Sequence, residues 1–464
     1  MALENLFKSF PPPLQNGIKR VQGFIPVRLR YPRSFWRMYD FLEKSQWWDK
    51  GRLEEYQLSR LQQLLAHAYR DVPYYTRVFD ERGLKPDDIS SLSDLKMLPY
   101  LTKDIMRNNS PYLISRDVNR KKLVMGKTSG TTGTPLQYFE TYTVRWQTMA
   151  CIYHLWSRLG IKPGTPMLQL RGGIIPGNKP TEYDPFLNVL RFSAQVNGRA
   201  MAEKYLVLMS RFGAKYLHGY PSIISSFAFL IKKHGLKMPL NLKAVIFASE
   251  CVYPWMIDIC KEVFNCRVFR FYGMGEKVTF AGECEDSFNY HCVPQVAITE
   301  FDRETNEIIG TGLLNFAQPF IRYKTTDVAS LPVENGCSKC TRNYFPVFRD
   351  IEGRFGDYLV TSSGRLFAPV VVTHPFKGLK NIRHTQIIQK DKQSILLRVV
   401  LWEDAEKAGT ERDLNYLKKH LHEMLGEEMR IEMEIVDSIP LSASGKFQWV
   451  ISDIAKDFMM KGIR

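Results

Sequence analysis

LKAVIF (Leu242–Phe247) and CRVFRFYGMGE (Cys266–Glu276) decide the fold. Each starts as a run of apolar, β-branched or aromatic residues and ends at a polar or glycine-containing turn, the pattern of a buried strand feeding a loop. From Leu123 to about Pro332 such runs alternate with helical patterns and Gly/Pro breaks, which predicts an α/β domain. Sheets of that kind place ligands at their strand ends. Tyr272 is therefore positioned to stack on a base and Glu276 to hold Mg²⁺ through a carboxylate oxygen. The competing reading of the same segment is a glycine turn beside a core tyrosine.

Outward from this stretch, 464 residues are too many for one ordinary core, so two or three domains are expected. Residues 1–115 read as a helical entry region. Leu58, Leu61, Leu65, Ala68 and Tyr69 recur at helical spacing, and Asp71-Val72-Pro73 interrupts them because proline disfavours helix in the residue before it. A final module begins near Gly353. It holds the strand-like runs Ile395–Leu401 and Ile431–Val436, with a helix between them that carries Leu414, Leu417, Leu421, Met424 and Leu425 on one face. Thr410 and Asp413 read as the capping box opening that helix. The expected division is 1–352, a large N-terminal domain, and 353–464, a small C-terminal domain.

Composition bounds the function. Hydrophobic residues make up 44% and charged residues 24%, ordinary for a globular chain. No run approaches the ~18 apolar residues of a membrane span, and MALENLFKSFPPPLQNG lacks a signal-peptide core, so a cytoplasmic protein is expected. Eight cysteines in such a chain read as buried thiols or metal ligands. A net charge of +16 favours nucleotides, coenzymes, anionic lipid surfaces or nucleic acid without choosing among them.

Four further segments carry chemistry. TSGTTGTP (Thr128–Pro135) combines turn-permitting glycines with hydroxyl donors that can wrap phosphate oxygens, and it lacks the Gly-Lys-Ser/Thr ending of a Walker loop. IRYKTTD (Ile321–Asp327) ends in an aspartate able to accept from two ribose hydroxyls. GRFGD (Gly353–Asp357) and LSASGKF (Leu441–Phe447) complete the series. In this order and spacing the segments resemble the adenylate-forming superfamily. The resemblance is nearest to its phenylacetate–coenzyme A ligase-like branch, including members associated with capsular polysaccharide biosynthesis. It runs from about Tyr31 to the C-terminus and includes LLAHAYRDVPYY (Leu64–Tyr75).

That resemblance implies an α/β fold, with a large multi-sheet N-terminal adenylate-forming domain and a small mobile α+β C-terminal domain. It implies ATP-dependent joining of a small carboxylic acid to AMP, then transfer to a coenzyme A thiol or an amine. Ser129, Gly130, Thr131, Thr132 and Gly133 would form the phosphate loop, with Thr132 catalytic. Ser249 and Glu250 would line the nucleotide and acyl pocket, and Tyr272 and Gly273 would flank adenine. Glu276 would bind Mg²⁺, Asp327 the ribose, and Arg354 ribose or phosphate. Lys446 would approach the reacting carboxylate and α-phosphate. The chain departs from the family pattern in three places. Thr326 stands where relatives carry glycine, Gly356 stands where many have an acid, and the phosphate loop lacks a lysine.

CSKC (Cys337–Cys340), preceded by Cys284 and His291, has ligands at the spacing of a closed tetrahedral site, with Cys292 as a competing ligand. The arrangement also looks like the structural Zn²⁺ site of some relatives. His67, His154, His374 and His384 read as packed or surface residues. His218, in YLHGYPS, carries extra weight because relatives build their acyl pocket there. Trp36, Trp47 and Trp48 beside Arg28, Arg30, Arg33 and Arg37 form either a buried aromatic cluster under a basic face or a peripheral contact with the inner membrane surface. A nucleic-acid-binding protein is the rival class, but no recognition signature supports it. A non-catalytic nucleotide-binding relative is the other, and the retained Glu276, Asp327 and Lys446 oppose it. Oligomeric state is not legible.

Overall fold

A computed structural model describes residues 21, 23–127, 136–171, 175, 179–193, 198–333, 336–354, 357–367, 369–376, 379–441 and 447–455. Leu242–Phe247 yields the strand Ala244–Phe247, and Cys266–Phe271 yields Arg267–Gly273. The two pair in parallel, and so do Tyr216–Gly219, Met167–Leu170 and Val189–Phe192 beyond them. Antiparallel strands at both edges extend the sheet to nine. All four positions of Ala244–Phe247 are buried because helices cover both faces. Val245 and Phe247 join one core with the helices Gly198–Phe212, Pro221–Lys233 and Pro254–Phe264. Ala244 and Ile246 join another with Arg33–Ser45 and Tyr142–Ser157. Period-two alternation thus splits one apolar run between two cores.

The sheet is tightest at Gly219, where a Cβ would stand 1.7 Å from the Leu170 carbonyl oxygen, so no side chain fits there.

Residues 1–115 are helical where described. Lys50–Asp71 stops at Val72, which is extended at φ −113°, and Pro73 opens the next helix, as the Val-Pro pair dictates. The buried stripe of Lys50–Asp71 is Leu53, Gln57, Leu61, Leu64, Leu65 and Ala68, while Leu58 and Tyr69 are half-buried at its margin. Trp36 is half-buried in edge contact with Tyr31, Phe35 and Tyr39, with Arg33 and Arg37 exposed beside it.

A second sheet orders Ala297–Phe301, Glu307–Gly312, Tyr323–Ala329 and Ile351–Arg354, all antiparallel. The C-terminal sheet orders Arg430–Ile435, Ser394–Leu401, Ile382–Gln389 and Val450–Ser452. Helix Lys407–Leu425 crosses over between the parallel pair Ser394–Leu401 and Arg430–Ile435. The capping-box reading of Thr410 and Asp413 fails. The helix starts a turn earlier at Lys407, Thr410 is buried inside it, and the Asp413 carboxylate accepts from the backbone and side chain of Asn381. A spacing of three residues cannot distinguish a cap from a tertiary contact.

Candidate active site

The strand Tyr323–Ala329 sets Asp327 directly opposite Arg354. Arg354 Nε donates to Asp327 Oδ1 at 2.5 Å, and the Tyr272 hydroxyl donates to Oδ2 at 2.7 Å. Burial alone would raise the Asp327 carboxyl. The Arg354 charge and the Tyr272 hydroxyl outweigh it and hold the group below its ordinary value. Asp327 in turn holds the Arg354 guanidinium above its usual range. One turn beyond Tyr272, Glu276 is buried and its Oε1 accepts from the Tyr323 hydroxyl at 3.1 Å. The late strand therefore supplies both the aspartate and the tyrosine that meets the glutamate.

Thr326 occupies the position where glycine was expected, and its φ is +69°, the left-handed region that β-branched residues avoid. Three contacts hold it there. Its amide donates to Glu307 Oε1 at 2.8 Å, its hydroxyl donates to the Thr325 carbonyl at 2.5 Å, and Lys103 Nζ donates to that hydroxyl at 3.0 Å. Sequence reasoning missed Lys103, which lies in the entry region with no glycine or motif around it. Burial, then the nearby Arg354, lower its ammonium pKa, and Asp327 and Glu276 partly offset them. The entry region thereby brings a cation to the carboxylate cluster.

Ser249 follows the strand Ala244–Phe247 at φ +73° and lines a cavity of about 290 Å³. Gly273 lines the same cavity, between Phe271 and Met274 on the neighbouring strand end. Glu250 is not among its lining residues. Its two carboxylate oxygens accept from the amides of Ser222 and Phe447, each at 3.1 Å. The first is at the start of Pro221–Lys233 and the second is in the C-terminal segment. The lining also includes Met149, Ile152, Trp156, Leu168, Gln169 and His218. Burial pushes the His218 imidazole down to about 3, with Arg171 adding to the shift.

Ser129, Gly130, Thr131, Thr132, Gly133 and Lys446 lie outside the described residues. His154 is a packed residue, bonded to Glu43 at 2.6 Å and to the Tyr344 hydroxyl at 3.0 Å.

Interleaved with these residues in sequence, Cys284, His291, Cys337 and Cys340 bring four donor atoms within 4.8 Å of one another. Cys284 and Cys337 are 4.0 Å apart, and Cys340 is 3.9 Å from His291 Nδ1. A tetrahedron with bonds of about 2.3 Å has edges of about 3.8 Å, so the set fits a tetrahedral metal. Hydrogen bonds from Cys340 foremost, and from His291 and Ser287, hold the Cys284 thiol well below its ordinary value. Cys292 is not part of the set. It follows His291 in the same strand, so its side chain takes the opposite face, where burial pushes its thiol up to about 12.

Residues 359–453 match the family described as the CapK C-terminal domain. Protein CapK of Staphylococcus aureus is 23% identical across 97% of this chain and all of its own length. Phenylacetate–coenzyme A ligase of Thermus thermophilus is 25% identical across 73% of this chain and 78% of its own. Among solved structures, a 2-hydroxyisobutyryl-CoA ligase in the postadenylation state superposes with a TM-score of 0.69. It shares 20% identity and covers 89% of this chain and 92% of that one.

Proposed function

We propose, from the premise that this chain belongs to the phenylacetate–coenzyme A ligase-like branch of the adenylate-forming superfamily, that it activates a small carboxylic acid with ATP and passes the acyl group to coenzyme A. The enzyme is an adenylate-forming ligase. In the proposed reaction a carboxylate oxygen bonds to the α-phosphorus of ATP. The bond to the β-phosphate bridge breaks, and pyrophosphate leaves with its electron pair. The thiol then attacks the acyl carbon, loses its proton, and AMP departs.

The observation that carries this reading is the junction of two unlike environments. The Asp327–Arg354–Tyr272 cluster and the apolar cavity both reach the strand Arg267–Gly273, through Tyr272 and Gly273 respectively. Asp327, pre-ordered by Arg354 and Tyr272, is suited to accept ribose hydroxyls. Glu276 would hold Mg²⁺, which neutralises phosphate charge as the two anions meet. The segment Ser129-Gly130-Thr131-Thr132-Gly133 would cradle the phosphates. Lys446 would bring a cation to the carboxylate and α-phosphate, the charge stabilisation that a reaction between two anions needs.

ATP–pyrophosphate exchange over a panel of aryl, alkyl and amino acids tests the first half reaction. Lys446→Ala should abolish exchange and leave ATP binding nearly intact. Unchanged exchange in that variant would refute the role given to Lys446, and no exchange with any acid would refute the ligase chemistry. An amine acceptor is the second reading. The full-length likeness to Protein CapK, whose C-terminal domain type this chain shares, favours it. Supplying coenzyme A or amines to the preformed adenylate separates the two.

Cys284, His291, Cys337 and Cys340 are proposed as ligands of a structural Zn²⁺. Four protein donors leave no open position for catalysis, so such an ion would fasten the Cys337 loop to the strand carrying His291. Elemental analysis of the purified protein should find one zinc per chain, and a metal-free, fully stable protein would end the proposal.

A further inference from the structure

The cavity is not uniformly apolar, and its polar atoms point to a substrate class. Two buried nitrogens belonging to side chains of its wall, Trp156 Nε1 and His218 Nε2, have no hydrogen-bond partner among the described residues. Their rings meet edge-on, with centroids 4.9 Å apart, so the two side chains form one corner of the cavity wall. Phe271 closes the corner, 5.9 Å from Trp156 and 6.2 Å from His218. An indole nitrogen can only donate. The imidazole is neutral because burial opposes its charge. Gln169 Nε2 lies 3.4 Å from His218 Nδ1, a contact that suits the tautomer in which Nδ1 accepts and Nε2 carries the proton. In that tautomer two N–H donors share one aromatic corner, with no protein acceptor among the described residues.

Buried donors without acceptors are costly, and a site keeps them where a ligand satisfies them. We infer that Trp156 and His218 select acids whose acyl portion ends in a hydrogen-bond-accepting oxygen, such as a hydroxyl or carbonyl. The oxygen sits in the corner of Trp156, His218 and Phe271, while the reacting carboxylate lies at the Ser249 and Gly273 end of the same cavity. The inference rests on the ligase reading above and specifies its substrate.

Matched acids test it. Phenylacetate is compared with 4-hydroxyphenylacetate, benzoate with 4-hydroxybenzoate, and hexanoate with 6-hydroxyhexanoate, each by ATP–pyrophosphate exchange with the wild-type chain and with Trp156→Phe and His218→Phe. The oxygen-bearing member of the best pair should show kcat/KM at least about tenfold above its partner, since a site built to bond a polar group rejects the analogue lacking it. Trp156→Phe removes the donor and shrinks the bicyclic indole to a single ring, so the readout is the ratio within each pair rather than either rate alone. It should erase most of that ratio, the oxygenated acid losing at least about tenfold more than its apolar partner. Equal activity within every pair, or a ratio that survives both variants, would overturn the inference with the ligase reading intact. Exchange with none of the acids would remove both.

Discussion

The Asp327 cluster and the two regions with unpartnered groups, the cavity and the thiol cluster, solve opposite problems. Around Asp327 the charged groups already have partners. Its two oxygens take one donor each from Arg354 and Tyr272, and Glu276 takes the Tyr323 hydroxyl. In the cavity Trp156 Nε1 and His218 Nε2 have none among the described residues, and in the thiol cluster His291 Nε2 has none. The first arrangement holds groups in a fixed pose before any ligand arrives, which lowers the reorganisation a reaction must perform. The second leaves bonding capacity to be completed from outside. On the function proposed above, chemistry common to many acids falls to the first region and discrimination among acids to the cavity, while the thiol cluster would hold a structural ion.

Three substitutions break or sharpen that contrast. Asp327→Ala should have the largest effect. It strips Arg354 of its carboxylate and removes the acceptor proposed for ribose, so exchange should fall at least about 100-fold, with a stability loss of about 3 kcal/mol. Isothermal titration with ATP and a denaturant melt would check the two parts, and full activity would show that the pre-paired cluster is merely structural. Cys337→Ser is next. If the thiol cluster is completed by metal, the variant should lose zinc and about 3 kcal/mol of stability, without a matching loss of exchange per folded molecule. An unchanged melting temperature would move that cluster out of the ligand-completed group. Thr326→Gly should do least. It relieves a left-handed threonine worth about 1–2 kcal/mol of strain but deletes the hydroxyl that Lys103 and Thr325 share, so a net gain of at most about 1 kcal/mol is expected. A melting temperature several degrees lower would mean that the hydroxyl contacts, not the backbone, dominate at this turn.

The legible parts of this molecule were those written in local pattern. The runs at Leu242 and Cys266 became neighbouring parallel strands because apolar period and turn residues act within a few positions. Val72 broke the entry helix because its clash with Pro73 is covalent neighbour chemistry. The thiol set was legible because cysteine pairs and a nearby histidine are rare enough to stand out, and the four donors do converge. What stayed hidden depends on contacts across the chain. Lys103 reaches Thr326 from more than two hundred positions away, and no local signal marks a lysine for that. Glu250 was read as a pocket residue from the family resemblance of its segment, yet it is absent from the cavity lining and its carboxylate accepts from the amides of Ser222 and Phe447. The expected cap at Thr410 failed for the same reason, since Asp413 found Asn381 across the fold. The resemblance to a family supplied the order of the segments, but it could not say that a threonine would adopt the backbone angle usually left to glycine.

Glu250 joins what the chain keeps apart in sequence. One of its oxygens is fixed by Ser222, at the head of a helix packed on the large sheet, and the other by Phe447, just past the lysine segment of the small domain. The docking of the final segment is thus registered one residue from Ser249, which lines the cavity. Changing the backbone at that point would also disturb the contact with Phe447, so the shape of the cavity and the seating of the final segment are inherited together rather than adjusted one at a time.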